Sequence, residues 1–123
     1  MKIIAVFLLF LVFVSCGPSP KDFKVEEIKS NCDCLRVRAE IIKNKSLILV
    51  NVKDKSKRNE LRESSEYEGW MKKDMEINNF CTKNFRGYFS DDKCNEFKVF
   101  FEEFNKSNEL YRNDNDDKKD SSR

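Results

Sequence analysis

The sequence predicts a small α+β domain that is held together by disulfide bonds. Apolar and charged residues alternate over residues 34–42, which is typical of a half-buried β-strand. Residues 70–85 place their apolar side chains on one broad helical face, which is typical of a helix that covers a core. Four of the five cysteines lie beyond residue 31 and are available for disulfides: Cys32, Cys34, Cys81 and Cys94.

The first two strands are expected to form an antiparallel β-hairpin over about 34–52. The first strand covers 34–42, the second covers 46–52 and is rich in branched residues, and the turn lies at 43–46. The alternating residues of the first strand are Leu35, Val37, Ala39 and Ile41 against Arg36, Arg38 and Glu40. One face of the hairpin is therefore expected to be apolar and the other charged.

Residues 96–102 allow two interpretations. The helical spacing i, i+3, i+4, i+7 is met by Phe97, Phe100, Phe101 and Phe104. The alternation of a strand is met by Phe97, Val99 and Phe101. We expect a third strand here, because the helix at 70–85 already supplies a cover for the sheet. The highly charged segment 53–68 is expected to be an exposed helix or helical loop.

The chain is expected to divide into four parts. Residues 1–15 are expected to be a signal peptide, because the twelve apolar residues 3–14 suit its hydrophobic region. A membrane-spanning helix needs about 20 such residues. Residues 16–31 are expected to be a tether and 32–111 the folded domain. Residues 112–123 contain no apolar side chain and are expected to be a solvated tail.

The residues Phe13-Val14-Ser15-Cys16-Gly17 resemble the lipobox of bacterial lipoprotein signal peptides. In that family the cysteine becomes the lipid-modified N-terminus after cleavage. The resemblance implies a lipid on Cys16 and a location on the outer side of the cell membrane or on the outer membrane. Cleavage after Cys16, which would leave a freely secreted protein that begins at Gly17, is the alternative. The resemblance covers only the start of the chain.

The number of cysteines favours two disulfides in the domain. If Cys16 carries a lipid or is removed, the other four cysteines can all pair. Cys32 and Cys34 are too close in sequence to bond to each other without strain. Two connectivities are open: Cys32–Cys81 with Cys34–Cys94, or Cys32–Cys94 with Cys34–Cys81. A third arrangement, Cys81–Cys94 with a free dithiol at Cys32 and Cys34, would permit thiol–disulfide redox chemistry.

The composition argues against several classes of function. The chain has no histidine, which excludes the usual Ser-His-Asp and Cys-His catalytic sites and every metal site with a histidine ligand. Its three glycines cannot form a phosphate-binding loop. Twenty-four basic and 22 acidic residues nearly cancel, which is unlike a nucleic-acid-binding protein. We therefore expect no enzyme activity, no metal and no cofactor.

Two surfaces are candidates for binding a partner. One is the charged face of the hairpin, formed by Arg36, Arg38 and Glu40. The other is an aromatic group, formed by Trp70, Tyr88, Phe89 and Tyr111. The sequence thus predicts a non-catalytic binding module that is anchored in the bacterial envelope and contacts another protein there. Its alternative is a redox protein that uses Cys32 and Cys34.

Overall fold

The computed structural model describes residues 17–120, and this part of the chain is helical throughout. Its four α-helices are α1 (Asn31–Val50), α2 (Lys55–Arg62), α3 (Ser65–Asn84) and α4 (Glu96–Asp120). Three short 3₁₀ turns complete it: Pro20–Asp22, Val25–Glu27 and Tyr88–Ser90. Residues 17–120 contain no β-strand, so the predicted α+β class is wrong. No helix among these residues has the length and apolar character that crossing a membrane requires.

Helix α1 occupies the segment that was expected to be the hairpin. It begins where the Ser30 hydroxyl accepts a hydrogen bond from the Asp33 amide at 3.1 Å. The Asp33 carboxylate accepts one from the Lys29 amide at 2.9 Å, which ties the residue before the N-cap to the first turn. The helix then passes without a break through the first predicted strand, 34–42, the predicted turn and residues 46–50 of the second predicted strand, and it ends at Val50.

The position of α1 in the fold explains the misleading alternation. Helix α1 lies between α3 and α4 and also packs on the N-terminal segment, so it buries side chains around much of its circumference. Its buried side chains are Cys34, Leu35, Val37, Ala39, Ile41, Ile42, Ser46 and Leu49. A central helix of this kind loses the clean 3.6-residue pattern of a surface helix, and short windows of it can imitate a strand.

Helix α3 confirms the predicted helix at 70–85 and begins five residues earlier, at Ser65. The Ser64 hydroxyl caps its first turn by accepting from the Tyr67 amide at 3.3 Å. Trp70, Ile77 and Cys81 are buried in the core. The preceding helix α2 is short and has no buried residue, which agrees with the exposed helix expected within 53–68.

Helix α4 corrects the predicted third strand at 96–102. The four phenylalanines at helical spacing lie on its inner face, with Phe100 2% exposed. The Phe97 and Phe101 rings are 4.7 Å apart, and the Phe100 and Phe104 rings are stacked at 5.8 Å. The helix continues to Asp120, into the segment expected to be a solvated tail.

The two disulfides fix the directions of the long helices. Cys32–Cys94 joins the start of α1 to the start of α4, so these two helices run parallel. Cys34–Cys81 joins the start of α1 to the end of α3, so α3 runs antiparallel to both. The connectivity is therefore one of the two that the sequence left open.

The N-terminal segment is packed on α3 for most of its length. Pro20 lies 3.5 Å from the position that a side chain on Gly69 would occupy. The Phe23 and Trp70 rings meet edge to face at 5.7 Å, and Ile28 is 3% exposed. Most of the segment that was expected to be a tether is thus part of the folded domain, and Gly17–Ser19 alone precedes the docked residues in the described chain.

Candidate functional site

A groove between the parallel helices α1 and α4 carries exposed apolar side chains. It consists of two adjoining cavities of about 440 and 330 Å³, and Lys43 and Glu103 line both of them. We call it the α1–α4 groove. Its α1 wall is Arg36, Ala39, Glu40, Lys43, Ser46, Leu47 and Val50. Its α4 wall is Asn95, Glu96, Val99, Glu103, Lys106, Glu109, Leu110 and Asn113.

The groove follows from the periodicity of the two helices. Positions 36, 40, 43, 47 and 50 recur every three or four residues and form one stripe along α1. This stripe is about 21 Å long at 1.5 Å per residue. Lys43 is nine residues, or two and a half turns, beyond Cys34, so it lies on the side of α1 opposite the disulfide to α3. The groove is therefore open to solvent on the side away from α3.

The two walls differ in charge. The α1 wall carries Arg36 and Lys43 with one acidic residue, Glu40, whereas three glutamates and one lysine lie on the α4 wall. The acidic residues of the α4 wall are Glu96, Glu103 and Glu109, and the lysine is Lys106. The α1 wall is thus net positive and the α4 wall net negative.

Apolar side chains are exposed at both ends of the groove. Leu47 and Val50 are 52% and 60% exposed near the C-terminal end of α1, and Val99 is 51% exposed near the start of α4. At the floor, the hydroxyl of the buried Ser46 has no hydrogen-bond partner within the described residues. Exposed apolar groups that are surrounded by charges of both signs are typical of a protein-binding surface.

The predicted charged face of the hairpin is divided by the helix. Arg36 stays exposed in the groove, 3.6 Å from the Asp33 carboxylate, and Glu40 is exposed beside it. Arg38 instead points into the protein, between α1 and α3. Its guanidinium donates to both carboxylate oxygens of Asp74 at 2.9 and 3.0 Å. The three residues therefore do not share one binding surface.

Arg38 is the centre of a buried polar cluster, which also contains Asp74, Asn78 and Tyr88. Arg38 donates to the Tyr88 hydroxyl at 2.8 Å, and that hydroxyl donates to the Asn78 side chain at 2.7 Å. Burial opposes the charge of Arg38, but the hydrogen bonds and charge of Asp74 outweigh it and raise the pKa of Arg38. Burial is also the main cause that raises the pKa of Tyr88. This cluster is largely buried, with the Arg38 and Asp74 side chains 11% and 15% exposed, and it holds α1, α3 and the 88–90 turn together.

The predicted aromatic group is not a single surface either. Trp70 and Tyr88 are buried, at 3% and 0% exposure. Phe89 lies on the surface with its ring 5.7 Å from that of Tyr88. Tyr111 is exposed on α4, where the Arg62 guanidinium lies 5.7 Å from its ring. These residues belong to the core and to separate surface contacts, and they do not form one stacking platform.

The cysteines of the domain are all in disulfides. Cys34 and Cys81 are fully buried, and Cys94 is 5% exposed. The redox alternative needs Cys32 and Cys34 as a free dithiol, whereas each is bonded to a different partner here. Cys32 and Cys94 also lie close to Glu96, but their sulfur atoms are bonded to each other rather than free as metal ligands. Cys16 lies outside the described residues.

Sequence reasoning missed the contact that holds the far end of α4. Asp114 is 1% exposed. Its carboxylate accepts a hydrogen bond from Arg58 at 2.9 Å and forms an ion pair with Arg62 at 2.7 Å. The hydrogen bond from Arg58 is the largest of the causes that lower the pKa of Asp114. Arg58 and Arg62 are four residues apart and therefore lie on one face of α2. This spacing was the one feature of the sequence that could have indicated a shared acidic partner. The groove itself was missed because α1 was taken for two strands.

Comparison of the chain with protein-family models, with curated proteins and with solved structures gives no match. A functional interpretation therefore depends on the residues and geometry of the chain itself.

Proposed function

We propose that this chain is a small envelope lipoprotein, anchored through a lipid on Cys16, that acts as a non-catalytic binding module. Its binding surface is the α1–α4 groove. The observation that carries the proposal is the open groove itself, with oppositely charged walls and exposed Leu47, Val50 and Val99. The occupant of such a surface is a protein.

The anchor is supported by the N-terminal sequence and by the parity of the cysteines. The lipobox-like residues around Cys16 follow an apolar run of the length that signal peptides have. The four remaining cysteines pair with one another, so no disulfide partner is left for Cys16 within the described residues. A multi-acyl anchor binds a bilayer durably, because each buried CH₂ group contributes about 0.8 kcal/mol.

The role as a rigid binding module is supported by the way the groove is held. The Cys32–Cys94 disulfide ties the starts of its two walls together. The Phe100 side chain packs between them, with its ring 5.3 Å from the Arg38 guanidinium. A preorganised surface loses little conformational entropy when it binds a partner. The groove carries no histidine and no free thiol, so binding rather than chemistry is the activity it suits.

Intact-mass analysis of the protein from the membrane fraction tests the anchor. We expect a mass that begins at Cys16 with a diacylglyceryl group and includes two disulfides. A Cys16→Ser variant is the control and should lose the lipid and leave the membrane fraction. A mature protein that begins at Gly17 without a lipid would refute the anchor and support the secreted alternative.

Lysine labelling tests whether the groove is occupied in the envelope. A water-soluble amine reagent is applied to isolated membranes and, separately, to the dilute purified protein. We expect Lys43 and Lys106 to react more slowly in membranes, whereas Lys83 on α3, exposed and outside the groove, should react equally in both. Equal reactivity of all three lysines in both samples would refute the groove as the binding surface.

A further inference from the structure

The charges of the groove carry an inference about its occupant. We propose that the partner in the α1–α4 groove is a second copy of this chain, placed about a two-fold axis that runs parallel to the helices. This inference rests on the proposed function, because it names the partner of the same surface. The inference goes beyond the proposed function because it specifies the identity and the orientation of that partner.

The residues of the two walls lie at matching levels along the groove. The parallel course of α1 and α4 and the disulfide at their starts put Arg36 level with Glu96. Lys43 and Glu103 line both cavities and so lie level with each other at the middle. Val50 and Leu110 line the far cavity together. Each level of the surface therefore has one residue from each wall.

Two copies can face each other through this surface in two symmetric ways. With a two-fold axis across the helices, α1 lies on α1, so Lys43 meets Lys43 of the partner subunit and Glu103 meets Glu103 of the partner subunit. With the axis along the helices, α1 lies on α4 of the other copy. Lys43 then meets Glu103 of the partner subunit, and Arg36 meets Glu96 of the partner subunit. Like charges that face each other oppose association, so the charges select the second arrangement.

The apolar residues agree with the same arrangement. At the far end of the groove it brings Val50 against Leu110 of the partner subunit, and the symmetry repeats this contact. Val50 is 60% exposed in the single chain and would be covered. The surface is thus complementary to itself both in charge and in its apolar end.

The position of the N-terminus is an independent point of agreement. Pro20 packs against Gly69 near the start of α3, and Gly17 lies three residues before Pro20 in the chain. A two-fold axis along the helices leaves these segments of both copies at the same end of the dimer. Two chains that are anchored through Cys16 in one bilayer need this arrangement, and the crosswise axis would place the anchors at opposite ends.

Sedimentation equilibrium of charge-reversed variants tests the inference. The purified chain is expected to associate reversibly to twice its monomer mass. Lys43→Glu and Glu103→Lys should each weaken this association at least about tenfold, since each creates two like-charge contacts across the symmetric interface. An equimolar mixture of the two variants should restore it, because Glu at 43 of one chain then meets Lys at 103 of the other. Lys83→Glu, on an exposed site of α3, is the control and should associate like the parent chain.

Each outcome decides the inference. A parent chain that stays monomeric at the highest soluble concentration overturns it, as does a dimer that neither single variant weakens. Failure of the mixture to associate also overturns it. In these cases protection of Lys43 and Lys106 in membranes would still support the proposed groove with a different protein as its occupant. Lys43 is exposed, whereas the Glu103 side chain is 17% exposed and lies 3.9 Å from Lys106, so the helical circular dichroism of each variant is compared with that of the parent.

Discussion

Arg38 of α1 and Asp74 of α3 form a two-fold hydrogen-bonded ion pair, with N–O distances of 2.9 and 3.0 Å, in the interior between the two helices. Their side chains are only 11% and 15% exposed. The pair orients α1 so that Arg38 faces inward and the stripe from Arg36 to Val50 faces the groove. The binding surface therefore depends on a polar contact on the other side of the same helix.

Removal of Asp74 is expected to destabilise the fold severely. Asp74→Ala leaves the Arg38 guanidinium in the interior without its counter-charge, which typically costs about 3 kcal/mol. The free energy of unfolding in urea under non-reducing conditions is the measurement. Arg36→Ala is the control, because it removes an exposed arginine that lies 3.6 Å from the Asp33 carboxylate. It should change the free energy of unfolding by less than about 0.5 kcal/mol. Equal effects of Asp74→Ala and Arg36→Ala would contradict the assignment.

The hydroxyl of Tyr88 is expected to contribute to the same cluster. Tyr88→Phe leaves Arg38 and Asn78 each without one hydrogen bond, and we expect a loss of about 1–2 kcal/mol in unfolding free energy. Burial raises the pKa of Tyr88 in the folded protein. The neutral hydroxyl is therefore favoured by folding, and this contribution is fully present below the unfolded pKa of about 10 and is lost as pH rises through the higher folded value. Chemical denaturation from pH 8 upward should show a smaller alkaline loss in Tyr88→Phe than in the parent.

Each disulfide is expected to be essential to a domain of this size. The residues of Cys32–Cys94 are 62 apart in sequence and those of Cys34–Cys81 are 47 apart. Closing loops of this length contributes about 4 kcal/mol each in the chain-entropy account. We expect the Cys32→Ser/Cys94→Ser and Cys34→Ala/Cys81→Ala variants to lose at least that much unfolding free energy. Peptide mapping of the parent checks the pairing, and a Cys32–Cys81 or Cys34–Cys94 peptide would contradict it.

Asp114 is expected to make the docking of α4 sensitive to acid. The hydrogen bonds and charges of Arg58 and Arg62 hold the pKa of Asp114 below its ordinary value of 3.8. Its stabilising contribution is present above that ordinary, unfolded-state pKa and is lost as pH falls through the lower folded value. The protection factors of amides in residues 105–115, which correct for the pH dependence of intrinsic exchange, should therefore fall in the parent as pH drops below about 4. In Asp114→Asn these protection factors should already be low at pH 7 and change less as pH falls. A pH profile identical to that of the parent would contradict the role of Asp114 in holding α4.

The sequence was a better guide to covalent chemistry than to backbone geometry. The two disulfides and the helix at 70–85 could be predicted because cysteine parity and a one-sided apolar pattern are local properties of the chain. The partner of Cys32 could not, because it depends on whether α4 runs parallel to α1. The resemblance around Cys16 remains a prediction.

The β-hairpin was predicted because α1 is contacted from several sides. Leu35, Val37, Ala39 and Ile41 are all buried, although they are distributed around the helix, and this produces a period of two over a short window. One local signal did indicate the helix. The segment Ser30-Asn31-Cys32-Asp33 has a serine three positions before an acidic residue, and the Ser30 hydroxyl caps the helix by accepting from the Asp33 amide. The two walls of the groove became recognisable only when α1 and α4 were both helices.

Site-specific photo-crosslinking in the envelope tests the central claim, that the α1–α4 groove is the surface through which this protein binds. A photoreactive amino acid replaces Leu47 in the groove or, as the matched control, Met75, which is 60% exposed on α3. We predict a discrete adduct from position 47 alone, with the mass of two chains and a cross-linked peptide from α4 of the second copy. An adduct of position 47 with a different protein would retain the groove and reject the self-association. Crosslinking from position 75 with none from position 47 would contradict the account.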